Sequence, residues 1–432
     1  MCNCLEASKR MISKQALCKA CYIAYFSLAI GFEGVNYSIL APFFPLEALN
    51  KGTSDYMIGL IVGAFDVSNI IGVFLVPKIL NSKTLFPLYI LGELASGINQ
   101  IVFGFLYYSP NGFTFYFISI SSRIFGGFIS NLVWSTGYPL LNTIEPAWTS
   151  KVIAWIEIMM GLGFMIGPPL GSLLFRIGGY PLPFLLNGFL QVFIAISLYF
   201  IPRQSSVSNS DFQIDFKMLM SLLITPSSII YATSVVVFNA GEGMIDVISA
   251  PYLFKYFSLT EEDNGYLFGI NSAASFFAYF LFIVFMDRGY GGWVYISSVV
   301  IFICSIVVFF IQNWFQQLIN LYIVSALFIF LGIAAAGANI SLYIIVEKLI
   351  LYTNVTDLEG CKSLTGLYTN LYFSLGRYFG SSIVGGVCYE YLGFFYTNGV
   401  EALLLMFTLL LNIPVFIYFG FLSKLYYGVS NK

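Results

Sequence analysis

The chain has 432 residues, of which 59% are hydrophobic and only 9% charged, with a formal net charge of −2 and a mean hydropathy of +0.85. Soluble domains carry about 25% charged residues, so a water-facing globule is excluded, and the slightly acidic balance excludes a nucleic-acid partner, which needs a basic face. There is no histidine, which removes zinc proteases and serine–histidine hydrolases together and leaves little from which to build an enzyme.

A bilayer core needs roughly 20 apolar residues per helix, and twelve such segments follow one another along the chain. Residues 1–21 come first, polar and basic, a cytosolic segment without the features of a cleavable signal. Its Cys18-x-x-Cys21 has no second pair and no histidine, so no metal site is expected. The first span, 22–44, carries Glu33 and, one turn later on the same face, Tyr37; the second, 57–79, carries Asp66. Spans follow at 84–107 with Glu93, 113–139 with Arg123, 152–175 with Glu157, and 183–201.

A polar linker, 202–219, then divides the chain. The seventh span, 220–251, places Asn239, Glu242 and Asp246 along one helix face. The eighth, 266–286, ends at Asp287-Arg288-Gly289; spans at 293–312, 318–346, 366–389 and 398–422 complete the set before a tail, 423–432. Of the 19 Lys and Arg residues, Arg123 and Arg377 fall inside spans, Lys51, Arg176 and Lys255 lie on one side, and all others lie opposite. The positive-inside rule therefore puts both termini in the cytosol, and an even number of spans agrees in placing the two on one side.

The two halves resemble each other. The fifth span reads Gly163-x3-Gly167-Pro168-Pro-Leu-Gly171 and then Gly179-Tyr180; the eleventh reads Gly376-x3-Gly380-Ser-Ser-Ile-Val-Gly385 and then Gly393-Phe394. Such ladders let helix backbones approach closely. Their matched places predict an all-α integral membrane fold of twelve helices in two pseudo-symmetric six-helix bundles, 22–201 and 220–422.

Ionisable groups inside spans are costly and mark function by default. Glu33, Asp66, Glu93, Glu157, Glu242 and Asp246 stand against Arg123 and Arg377, so four carboxylates lack a basic partner. Unpaired buried acids take up protons, which points to exchange of protons for a cation. Glu33, Tyr37, Asn239, Glu242 and Asp246 are the expected substrate and proton residues. Asp66, Arg123, Glu157, Arg377, Asp287 and Arg288 are expected to serve coupling or ion pairing, while Glu93 is expected to be a local structural partner.

Over its full length the chain resembles the major facilitator superfamily. Gly161-Leu-Gly-Phe-Met-Ile-Gly-Pro-Pro-Leu-Gly171 is similar to the antiporter motif of that family, Arg123-Ile-Phe-Gly-Gly127 to its intramembrane arginine motif, and Asp287-Arg288-Gly289 to the second copy of its cytosolic loop motif. The first copy departs, with Lys78 where the family has Asp. Tyr37-Ser-Ile-Leu-Ala-Pro-Phe-Phe-Pro45, Glu157-Ile-Met-Met-Gly-Leu-Gly163 and Met244-Ile-Asp-Val-Ile-Ser-Ala-Pro-Tyr252 resemble the vesicular amine transporters, their polyamine branch in particular. That resemblance implies proton-coupled antiport of an organic cation by a cofactor-free monomer. The expected location is a vesicle or other endomembrane, with the plasma membrane as the alternative. Arg377, in the eleventh-span ladder, departs from it and leaves open an anionic or zwitterionic substrate. A receptor or scaffold built on a transporter fold also stays open.

Overall fold

Backbone polar groups inside hydrocarbon must be satisfied within the chain, so apolar segments of this length fold as helices. The structure, a computed structural model, describes residues 21–81, 83–144, 149–200, 226–288, 290–315, 319–351 and 358–430 with a few isolated positions, and is all-α there. Side chains of 138–139, 141–157, 343–344, 346–351, 358–365, 414–430 and a few other residues lie outside that description. So do the backbones of segment 1–20 and linker 201–219.

Helix α1 covers residues 21–38. It leads through the short α2 (Phe44–Asn50) into α3 (Asp55–Leu75), α4 (Leu85–Gly104), α5 (Phe113–Ile144), α6 (Thr149–Gly178) and α7 (Pro181–Phe200). After the linker come α8 (Pro226–Phe257), α9 (Glu261–Asp287), α10 (Gly291–Ile311), α11 (Leu321–Leu351) and α12 (Leu358–Tyr378). A wider-wound π-helical stretch, Phe379–Cys388, continues α12, and α13 (Tyr389–Ser430) ends the chain.

Among the described residues, eight helices are long and apolar enough to cross a bilayer. One of them, Gly366–Ile413, is 48 residues long and is broken at Gly393 (φ 75°, ψ 177°), so it holds two segments folded back at a glycine that can adopt this backbone. Helices α1, α5 and α8 are not in that set. Glu33 lies within α1, Arg123 within α5, and Glu242 and Asp246 within α8. The molecule is thus a multi-spanning all-α membrane protein.

Local sequence sets several helix starts. Ser54 caps α3 by accepting from Met57 N at 3.4 Å. Thr260 and Asp263 form a reciprocal capping box at α9, whose first turn carries Glu261, Glu262 and Asp263.

In the first half α4 packs between α5 and α7, and α3 lies against α5; in the second, α11 packs on α9 and α10, and α13 on α10 and α8. The halves meet along two seams, α3 against α12 and the π-helical stretch, and α6 against α9. The matched glycines have matched geometry: Gly179 and Gly393 both take positive φ (68° and 75°), and each precedes a buried aromatic, Tyr180 and Phe394.

Candidate functional site

The glycine ladders determine which helices reach the centre. A Cβ at Gly163 would meet Gly31 O at 2.1 Å, and one at Gly167 would meet Ser38 Oγ at 2.0 Å, so α6 lies directly on α1. In the second half, a Cβ at Gly376 would meet Val236 O at 2.4 Å and one at Gly380 Ala240 O at 1.9 Å, which lays α12 on α8. Gly171 faces Ile39 and Phe43, and Gly385 faces Met244 and Val247, extending each contact by a turn. Pro168 lies on the α6–α9 seam, its carbonyl 2.9 Å from where a Cβ on Gly265 would stand.

Between these pairs is a cavity lined by Tyr37 and Leu40 at the end of α1, Ala41, Pro45, Val62 and Asp66 of α3, Arg123 of α5, Gly243 and Asp246 of α8, Arg377 of α12, and Ser381. Its free space, measured to the centre of a water-sized sphere, is about 20 Å³, close to the room one water needs.

Arg377 dominates the cavity. It is 7% exposed, forms an ion pair with Asp246 through Nη2 and holds Nη1 3.7 Å from Glu242. Its guanidinium lies over the Tyr37 ring at 4.9 Å and near Phe373 at 5.5 Å. Asn339 of α11 donates to Glu242 at 3.4 Å. Arg123 lies over Phe65 at 4.5 Å and donates to Val62 O at 3.4 Å. Beside it Asp66 is buried, with Oδ1 meeting no donor.

The expected residues therefore separate into two groups. Tyr37, Asp66, Arg123, Glu242, Asp246 and Arg377 come together around one cavity. Asn239 donates instead to Val235 O of its own helix at 2.8 Å and packs against Gly376. Glu33 also lies elsewhere: it accepts a short hydrogen bond from Gln191 of α7, which donates in turn to Glu93 of α4 at 3.0 Å. Tyr37 and Glu33 are four residues apart on α1, yet they meet different neighbours. The side chains of Glu157 and Asp287 lie outside the described residues, and Arg288 is exposed at the end of α9.

Four features are not among the residues expected from the sequence. Glu401 of α13 is fully buried with both carboxyl oxygens unpaired, near Gly241 of α8; an acid inside the expected 398–422 span is signal enough to find it. Asn131, Asn69 and Asn370 form an amide chain across α5, α3 and α12 at 2.9 and 3.2 Å, joining the halves where no charge marks the place. Glu390, after α12, accepts from Tyr56 N of α3 at 2.8 Å, and Arg176 of α6 reaches Glu262 of α9 at 3.9 Å. These last two contacts span the two seams.

The chain is similar to the MFS-type transporter SLC18B1 of Mus musculus, 28% identical over 264 residues. That similarity covers 61% of this chain and 56% of the mouse protein, so the chain matches a little over half of that relative's length. Its fold is similar to the crystal structure of the nucleoside transporter NupG, with TM-score 0.70 at 13% identity, covering 93% of this chain and 98% of that one. It is also similar to a bacterial homologue of the human lysosomal transporter Spinster in an inward-facing, unoccupied conformation, with TM-score 0.68 at 13% identity, covering 94% and 97%. The family model of the Major Facilitator Superfamily matches residues 26–381, and the chain belongs to that superfamily.

Proposed function

We propose that the protein is a secondary transporter that exchanges protons for a small organic cation by alternating access. In this reading it has twelve spans in two six-helix bundles, 22–201 and 220–422, with both termini cytosolic in a vesicle or other endomembrane. The paired ladders and the matched turns at Gly179 and Gly393 support the two-bundle organisation.

The observation that carries the substrate class is the charge set of the cavity. Asp66, Glu242 and Asp246 face Arg123 and Arg377, so the fully ionised set has one negative charge to spare. Buried charge is tolerated only when paired, and a cation entering the cavity supplies the missing partner. Arg377 then acts as an internal stand-in, occupying the acids of α8 until substrate displaces it. The Tyr37 face under the guanidinium suits an amine equally well.

Alternating access is supported by where the halves touch most closely. Gly59 at the start of α3 approaches Ser381 O and Gly386, while Gly265 and Gly269 at the start of α9 approach Pro168, Pro169 and Ser172 of α6. With helices alternating in direction, all of these lie at the end opposite the expected cytosolic termini. The contacts Tyr56–Glu390 and Arg176–Glu262 lie at that same end, so the cavity is closed there.

The test is uptake by purified protein in liposomes under an imposed pH gradient, with labelled polyamines, monoamines and carboxylates. Uptake of an amine that collapses with the gradient is expected. Uptake of carboxylates alone would overturn the cation reading and favour the anionic one that Arg377 allows, while binding without any flux would favour a receptor.

A further inference from the structure

The cavity does not use the acidic pair that α1 shares with α4. Glu33 of α1 and Glu93 of α4 both accept from the single amide nitrogen of Gln191 on α7, and they are 5% and 0% exposed. Asn36, one turn along α1, donates to Ser96 at 3.2 Å and to Gln191 Oε1 at 2.7 Å, and accepts from Asn187. The amide thereby has its orientation fixed and both of its hydrogens committed to the two carboxylates. Oxygen Oε1 of Glu93 and Oδ1 of Asn187 are left buried without a donor.

Among the described residues no basic side chain is placed beside the pair. Helices α1, α4 and α7 contain no Lys or Arg. Among the described residues the titratable group that faces the pair is Tyr89, whose hydroxyl lies beside Glu93; Ser96 and Asn36 lie beside Glu33, and Phe26, Ile30, Val133 and Ile194 belong to the apolar cluster that holds Tyr89. Two carboxylates in an apolar interior, bridged by one neutral amide, repel each other and lack the solvent that would separate their charges. One added proton removes one of the two charges and with it the repulsion between them.

We propose that Glu33 and Glu93 form a proton-binding site holding one proton between α1, α4 and α7, apart from the substrate cavity, and that this is the coupling proton. The assignment of coupling rests on the antiporter reading above; the binding of one proton does not. On loading, a proton from water joins one carboxyl oxygen and the pair keeps a single negative charge. On release, the proton returns to water, and the restored repulsion acts across Gln191 to push α1 away from α4 and α7. Tyr37 stands on α1 one turn beyond Glu33 with its ring under Arg377, so the same movement alters the contact that holds Arg377 over the acids of α8. Gly34, packed on Gly163 of α6 with less than a methyl group of spare room, makes that crossing a stiff pivot.

The site is tested by counting protonated carboxyls. Infrared difference spectra of wild type against E33Q/E93Q should show the loss of one protonated carboxyl; loss of none or of two overturns the proposal. Where the double variant does not fold, carbodiimide labelling of wild-type protein in membranes, mapped by mass spectrometry, replaces it. Label on Glu33 or Glu93 but never on both in one molecule supports a shared proton, whereas label on both or on neither overturns it.

Coupling is tested in liposomes with E93Q, comparing pH-driven accumulation with exchange of labelled for unlabelled substrate. A specific loss of accumulation relative to exchange is expected, and accumulation equal to wild type overturns the coupling role. If wild type itself accumulates nothing under a pH gradient, the antiporter reading fails, and the coupling role with it, while the proton count still decides the site.

Discussion

The ring of Tyr37 on α1 lies beneath the guanidinium of Arg377 on α12, 4.9 Å from centroid to Cζ, and this contact ties the first half of the chain to the second at the floor of the cavity. Removing the ring should weaken it by about 1 kcal/mol, rising to about 2 kcal/mol where water is excluded. Y37A is therefore expected to bind substrate differently from wild type while Y37F, which keeps the ring, does not. Equilibrium binding of labelled amine to the two purified variants decides this, and equal affinities would remove the ring from recognition.

Arg377 neutralises two acids, so its loss should be expensive. R377A leaves the half-buried Asp246 and Glu242 beside each other without a cation, a change worth at most the roughly 3–5 kcal/mol of a fully buried pair. The double variant R377A/D246N removes one stranded charge and should recover part of the loss. Thermal unfolding in detergent gives the order wild type, double variant, single variant; a single variant as stable as wild type contradicts the pairing.

The glycine ladders make a contrast that needs no ligand. G163A places a methyl 2.1 Å from Gly31 O, and G380A places one 1.9 Å from Ala240 O. Backbone atoms cannot swing aside, so both should cost at least the roughly 1–3 kcal/mol typical of overpacking, to a similar degree in the two halves. G366A, which meets nothing within 4 Å, is the control and should behave as wild type in size-exclusion profiles after heating.

The proposed closure of the end opposite the expected cytosolic termini predicts a cross-link. Tyr56 and Glu390 come from different halves and their contact, Tyr56 N to a carboxyl oxygen of Glu390, is 2.8 Å long. Cysteines at both positions, joined by a short bifunctional reagent, should hold α3 against the start of α13 and abolish flux, which reduction or cleavage of the linker restores. Full transport with the cross-link in place would mean that this end does not open.

E33Q is expected to abolish proton-driven uptake while the protein still folds, because glutamine keeps the shape that meets Gln191. Uptake under a pH gradient, read beside the size-exclusion profile, checks both halves of that statement.

Much of the fold is legible in the amino-acid sequence alone. Bilayer thickness imposes a length on each apolar run, and the absence of water imposes helix on each. The Gly163 and Gly376 ladders are visible as small residues at helical spacing, and they do bring α6 onto α1 and α12 onto α8. The acids and arginines inside spans are visible as well, since their cost makes them rare; Glu401, an acid within the 398–422 span, belongs with them by the same rule.

What the sequence could not decide was the rotation of each helix and the neighbour it meets. Glu33 and Tyr37 are four residues apart, about 40° of helix rotation, close enough to share a face. Even so, Tyr37 meets Arg377 while Glu33 meets Gln191, 158 positions away along the chain. The pairing of Arg377 with Asp246, across 131 positions, is of the same kind. Composition and periodicity are local, so they determined that this chain spans a membrane as helices and carries an excess of acid within it. Which acids face one another across a cavity, and which share a single amide, depends on contacts between distant segments, and only the packed helices decide it.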